Sequence, residues 1–245
     1  MAFRSWRRRI AALAAYGPAA VVVNATAAAV LAMTVGVAPA ETPQGNPQEG
    51  SMNLLVLGDS LTAGYGLPRH QGFTVVLESA LRVEGLNVRV IDAGVSGDTS
   101  AGGRARLEWA LATVPGGAPD AAIVELGAND GLRGLDPRTT HANLDAIVGE
   151  LRQRGVAVLV AGMLAPPNLG REYGEAFNAV YPRVANDHGV GLYPFFLDGV
   201  AAQSALNQAD GIHPNAEGVR VIVERILPSV RSLLVEARAE ARNRQ

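Results

Sequence analysis

A serine hydroxyl attacks a carbonyl only when a base takes its proton and a third group holds that base in the right tautomer. Ser60, His213 and Asp210 have the types and surroundings for this chemistry. Ser60 stands two residues beyond Asn53-Leu54-Leu55-Val56-Leu57-Gly58, a short apolar run that reads as a strand buried on both faces. The chain has 4 histidines. His70 lies in a polar turn, His141 in an expected helix and His188 at a helix end. His213 alone sits in a loop with a carboxylate three residues earlier. Taken singly, Asp210-Gly211 is also an ordinary turn. Opposite a serine at a strand end, Asp210 becomes the acceptor for the imidazole Nδ1–H.

Acyl transfer also needs donors aimed at the developing oxyanion. Three fit: the N–H of Gly97, which has no Cβ to block a close approach, the side-chain amide of Asn129, and the N–H of Ser60. Each has a plainer reading beside it. Glycines in loops serve turns, and Asn129-Asp130-Gly131 is a common turn sequence. Their joint arrangement carries the functional reading. Composition removes other chemistries. There is no Cys, which excludes thiol catalysis, disulfides and a Cys-bound metal, and all 21 basic residues are Arg, which excludes lysine nucleophiles and Schiff bases. No metal or organic cofactor is implied. The formal charge of −2 suggests no nucleic-acid partner.

The elements that must position these residues follow from periodicity. Strands are expected at Asn53–Leu57, Val88–Ile91, Ala121–Leu126, Val156–Ala161 and Gly191–Tyr193. Helices are expected at Gly72–Glu84, Ala101–Ala112, Pro137–Arg154, Gly174–His188 and Val219 to about Arg238, the last interrupted near Pro228. Strands alternating with helices predict a three-layer α/β/α domain on a central parallel sheet. In such sheets the ligand crevice lies outside the carboxyl ends of the strands. The stretches after strands one, two and three, and the Asp210–Pro214 loop, all deliver small and polar residues to that rim. Leu164-Ala165-Pro166-Pro167-Asn168-Leu169-Gly170 reads either as a flank for an acyl chain or as a plain connection.

The motifs are not the G-x-S-x-G elbow of α/β-hydrolases, since position 62 is Thr. Gly58-Asp59-Ser60-Leu61, Ser96-Gly97-Asp98-Thr99-Ser100, Leu126-Gly127-Ala128-Asn129-Asp130 and Asp210-Gly211-Ile212-His213-Pro214 occur in that order. The chain resembles the SGNH (GDSL) hydrolase superfamily, in its thioesterase I, lysophospholipase L1 and arylesterase branch, over about residues 53–235. Ala128 stands where some relatives carry Gly. The resemblance implies a flavodoxin-like fold, a catalytic set of Ser60, Asp210 and His213, an oxyanion hole of Ser60, Gly97 and Asn129, and action on aryl esters, lysophospholipids or acyl thioesters. A carbohydrate O-deacetylase on the same scaffold is the alternative, and aromatics at 5% disfavour a sugar-stacking platform. A non-catalytic, membrane-tethered binding protein is the third reading.

Arg4, Arg7, Arg8 and Arg9, a long apolar stretch from Ile10 to about Val37, and Ala38-Pro39-Ala40 follow the order of a secretory signal with an A-x-A cleavage site. Residues 1–40 are therefore expected to be removed on export to the periplasm or beyond; the alternative is an anchor formed by residues 10–37. Residues 41–51 read as a linker and 52–245 as the hydrolase domain. Four of the arginines fall in the leader, so residues 41–245 carry 17 basic and 23 acidic groups, a formal −6. The expected partner is a small acyl ester or lysolipid, met as a monomer with transient membrane-surface contact.

Overall fold

A computed structural model describes residues 51–243. The leader, and the expected linker up to residue 50, lie outside the described residues. The chain forms β1 (Met52–Gly58), α1 (Ser60–Ala63), α2 (Phe73–Val83), β2 (Val88–Gly94), α3 (Ser100–Ala105), α4 (Leu107–Ala112) and β3 (Ala121–Glu125). It continues with α5 (Ala128–Leu132), α6 (Pro137–Gln153), β4 (Ala157–Ala161), α7 (Arg171–Asn178), α8 (Val180–His188), β5 (Gly191–Tyr193) and α9 (Ala216–Asn243).

The strands make one sheet in the order β2-β1-β3-β4-β5, with every neighbouring pair parallel. Helices α2 and α9 pack on one face, and α3, α4, α6 and α8 on the other. Leu54 to Leu57, Ala121 to Val124 and Ala157 to Val160 are buried, as strands covered on both faces must be. Strand β2 lies at an edge and is only partly buried. Its Val90 N–H donates to Glu78 Oε2 (2.9 Å), which occupies an edge donor that would otherwise invite another strand.

The chain leaves β1 for β2 on one side, then crosses to place β3 on the other side of β1. That reversal opens a crevice beyond the carboxyl ends of β1 and β3, the switch point of this strand order. Gly58 pairs with Gly94 and with Glu125, so three strand ends meet at one level, and Ser60 stands just above it.

Three helices differ from expectation. The helix expected over Ala101–Ala112 breaks at Arg106, whose backbone (φ −106°, ψ 9°) ends α3 and starts α4. The Arg106 side chain bonds back to the strand ends, which fixes the bend. The helix expected over Gly174–His188 starts earlier, at Arg171, and breaks at Ala179. Pro182 has no N–H to return to the Asn178 carbonyl, so the helix restarts with the proline in its first turn. Helix α9, expected to be interrupted near Pro228, runs through it. A mid-helix proline costs about 3 kcal/mol. Ile222, Val223, Ile226, Val230, Leu233 and Leu234 are buried on both sides of it, and each contributes roughly 1.5–3 kcal/mol, so packing wins.

Gly162 joins β4 to the wall of the crevice. Its N–H donates to Tyr193 O (2.8 Å) and its carbonyl accepts from Phe196 N–H (2.8 Å). A Cβ at this position would collide with the Pro194 carbonyl oxygen, a backbone atom that cannot swing aside. Gly162→Ala is expected to destabilise the fold by about 2 kcal/mol through overpacking. For a domain of this size that lowers the Tm by roughly 4–8 °C, measurable by thermal denaturation.

Candidate active site

Asp59 caps α1. Its Oδ1 accepts the Leu61 N–H (3.0 Å), and the resulting single turn places Ser60 at the first helical position, half-buried at the crevice floor. A four-residue helix has little stability of its own. The cap and the bonds beneath it hold the nucleophile candidate in place.

His213 arrives from the far end of the chain. Its Nε2 lies 2.9 Å from Ser60 Oγ and its Nδ1 lies 2.7 Å from Asp210 Oδ2. Asp210 Oδ1 accepts the Ile212 N–H (2.9 Å) and the His213 N–H (3.0 Å), so one carboxylate fixes both the loop and the ring. The loop is also tied to the serine side. Gln208 Nε2 donates to Tyr65 O (2.7 Å) and to Pro214 O (3.0 Å), and the Tyr65 ring lies 4.5 Å from the imidazole, tilted. The backbone N–H bonds of His213 and Ile212, followed by the bond from the imidazole, pull the Asp210 carboxyl down to about 2. An ionised Asp210 only accepts, so Nδ1 carries the ring proton and Nε2 faces the Ser60 hydroxyl as an acceptor.

The oxyanion candidates sit on the other side of Ser60. Gly97, at φ 83°, turns the loop after β2, and its carbonyl accepts from Arg133 Nη2 (2.9 Å). Asn129 is the second residue of α5, and its Nδ2 donates to Asp98 O (2.8 Å) and to Asp59 Oδ2 (3.1 Å). Both of its amide hydrogens are therefore engaged, where the sequence suggests a free donor.

Four residues that sequence reasoning leaves without a role hold this arrangement. Arg106 donates to Asp98 Oδ2 (2.5 Å), Ala93 O (2.7 Å) and Gly58 O (2.8 Å). Asp130 is buried and accepts from Ser100 N–H (2.8 Å), Ser100 Oγ–H (2.5 Å) and Thr140 Oγ–H (3.1 Å), which locks α5 to α3 and α6. Asp59 and Glu125 form a buried acidic pair under Ser60, with the Asp59 N–H 3.4 Å from Glu125 Oε2. Burial pushes the Asp59 carboxyl up to about 6, against the lowering effect of the Leu61 and Asn129 bonds. Burial, then the charge on Asp59, pushes Glu125 well above the usual carboxylate range. A signal for Glu125 was available: it is the one acid inside an otherwise apolar strand.

Ser60, Asn129 and His213 line a cavity of about 490 Å³. Its wall is apolar: Leu132, Met163, Leu164, Pro166, Phe195 and Ile212. The Leu164–Pro167 stretch, which read two ways in the sequence, forms part of that wall. The other histidines stand apart. His188 pairs with Asp145 (2.8 Å), His70 lies beside Gln71 (3.3 Å), and His141 lines a separate hollow with Pro137 and Arg183. Among the described residues no cluster of His, Cys, Asp or Glu has the make-up of a metal site.

Comparison with known proteins adds four findings. The model of the GDSL-like lipase/acylhydrolase family matches residues 56–221. Esterase TesA of Pseudomonas aeruginosa is 43% identical over 187 residues, covering 76% of this chain and 92% of that protein. Thioesterase 1/protease 1/lysophospholipase L1 of Escherichia coli is 36% identical over 181 residues, covering 74% and 84%. Among solved structures, a crystal structure of TesA superposes with a TM-score of 0.70 at 43% identity, covering 74% of this chain and 99% of the other.

The two aspartates of the site titrate at opposite ends of the acid range. Asp210 is depressed below its unfolded value of 3.8, so its contribution to stability is present above that pH and is lost as pH falls through about 2. Asp59 is raised, so its ionised form opposes folding, and stability increases as pH falls from about 6 toward 3.8. Carboxyl-detected NMR titration is expected to give a midpoint near 6 for Asp59 and near 2 for Asp210.

Proposed function

Since this chain belongs to the GDSL-like lipase/acylhydrolase family, we propose that it hydrolyses carboxylic esters and thioesters through an acyl-enzyme on Ser60. The observation that carries the reading is the Asp210–His213–Ser60 relay opening onto an apolar cavity. The names of its relatives, an esterase and a thioesterase/lysophospholipase, support the same substrate classes.

The steps follow from the geometry. Ser60 Oγ adds to the acyl carbonyl carbon as His213 Nε2 takes its proton. The carbonyl π electrons move to oxygen, which is held by the Ser60 and Gly97 N–H groups and the Asn129 amide. Each such donor is worth about 3–4 kcal/mol when removed. As the carbonyl re-forms, the bond to the alkoxide or thiolate breaks, and that group takes the proton from His213. Water then repeats the addition, with His213 as base. It releases the carboxylic acid and restores Ser60. Asp210 stays ionised throughout and stabilises the imidazolium of each tetrahedral stage.

The cavity wall supports acyl chains longer than acetyl. Each methylene it buries contributes about 0.8 kcal/mol, a factor of about four in kcat/KM, until the cavity is full. The leader supports export of the enzyme, with cleavage near Ala40.

Ser60→Ala is expected to abolish hydrolysis of p-nitrophenyl esters with the circular-dichroism spectrum unchanged, and a fluorophosphonate probe is expected to label Ser60 in the parent protein. Retained activity in the variant would overturn the reading. A series of p-nitrophenyl esters from acetate upward is expected to rise in kcat/KM with chain length before it levels. A sharp optimum at acetate would favour the sugar O-deacetylase instead.

A further inference from the structure

The amide of Asn129 has two hydrogens, and both are taken in the resting protein. One goes to the Asp98 carbonyl (2.8 Å) and the other to the Asp59 carboxylate (3.1 Å). Both partners are acceptors, which fixes the amide orientation: the nitrogen, and not the oxygen, must face them. Asp59 is engaged on its other side as well, where Oδ1 accepts the Leu61 N–H that builds the turn under Ser60. One carboxylate therefore touches both halves of the oxyanion pocket, the nucleophile turn on β1 and the amide donor on α5.

We propose that Asp59 is a positioning residue of the oxyanion pocket, holding the Asn129 amide in donor orientation and the Ser60 turn in place with its two oxygens. The inference rests on the hydrolase reading above. The N–H on Asp59 is the longer-bonded of the two. As negative charge gathers on the substrate oxygen beside Ser60, that N–H shares its hydrogen bond with the oxygen and then gives it over entirely, the proton staying on nitrogen, while the bond to Asp98 O keeps the amide from turning. No bond is made or broken at Asp59 itself.

The role demands a carboxylate in particular. An asparagine at position 59 has one acceptor and one donor. If its oxygen serves Leu61, its NH2 faces the NH2 of Asn129, donor against donor. If it flips, its NH2 faces the Leu61 N–H. Turning Asn129 instead sets its oxygen against the Asp98 carbonyl. Every arrangement leaves a buried mismatch, which is costly where water is excluded. Keeping a charge there has its own cost, since Asp59 is fully buried. Glu125 lies beneath it on β3, and Asp98 and His213 are the other titratable groups that act on it. The positive ends that support the carboxylate are the two N–H groups it holds, so the pocket keeps the charge and the alignment together.

The test is a double-mutant cycle with Asn129, read as kcat and KM on a p-nitrophenyl ester. Asp59→Asn is expected to lower kcat about tenfold to a hundredfold, short of the loss from deleting an oxyanion donor outright, with KM little changed. In an Asn129→Ala background the same substitution has no amide to misalign and is expected to cost less than twofold. Asp59→Ser keeps the α1 cap, leaves the amide without its holder, and is expected to lower kcat in the same way should Asp59→Asn fail to fold. A loss of equal size in both backgrounds, a loss in KM alone, or wild-type kcat in both variants would overturn the proposal. In the wild-type protein, the Asn129 side-chain amide resonances are expected to follow the Asp59 titration, and to stop following it once a fluorophosphonate has modified Ser60. Resonances indifferent to Asp59 would likewise overturn it. Ser60→Ala, measured alongside, separates the two levels: if it stays active the hydrolase reading fails, whatever Asp59 does.

Discussion

The guanidinium of Arg106 sits where the structure can least do without it. Its donors reach the last carbonyl of β1, the carbonyl of Ala93 near the end of β2, and the Asp98 carboxylate in the loop that follows β2. Carbonyls at the ends of parallel strands must find donors once the crevice excludes water, and Gly58 O has the Val95 N–H (3.1 Å) beside the guanidinium. A single planar cation with five N–H groups in a fixed fork meets that demand for two strands at once. The same bonds bend α3 away from α4 and set the loop whose Asp98 carbonyl grips the Asn129 amide. The nucleophile turn, the Gly97 turn and the amide donor are thus referred to one side chain.

Beneath that clamp the protein gathers acids. Asp59, Glu125 and Asp130 are each buried within the ends of β1 and β3 or the start of α5. They are managed differently. Asp130 is saturated by hydroxyl and backbone donors. Asp59 keeps two N–H partners. Burial, then the charge on Asp59, pushes the Glu125 carboxyl well above the usual carboxylate range. Asp210, by contrast, is exposed and held low by two backbone N–H groups, which suits the role proposed for it beside His213. Burial and hydrogen bonding together give each carboxylate its own surroundings, without any lysine in the chain.

Much of this was legible in the residues because chain order and strand rhythm are strong signals. Apolar runs at Leu54–Leu57 and Ala121–Val124 belong to strands covered on both faces, and the polar residues that follow each run stand on the crevice rim. The meeting of Ser60 with His213 and Asp210 follows from the same topology. The breaks at Arg106 and Ala179 were not legible. The first depends on where a side chain finds carbonyls in three dimensions. The second depends on a proline that a helix accepts far more readily in its first turn than in its interior. The persistence of α9 through Pro228 turns on packing against strands far away in sequence, which no local propensity records. Likewise, nothing in the sequence around Asn129 reveals that both of its hydrogens are already engaged.

The hydroxyl and the imidazole that meet at 2.9 Å are separated by 153 residues of chain. Ser60 comes from the first strand, and His213 from the loop just before the last helix, after every other strand of the sheet is laid down. A contact of that span closes late, because the loop-closure entropy has to be met before it forms. A chain still emerging from synthesis, or halted with its final helix undocked, holds the serine with no base beside it. On the mechanism proposed above, hydrolysis therefore waits for the last loop and helix to dock.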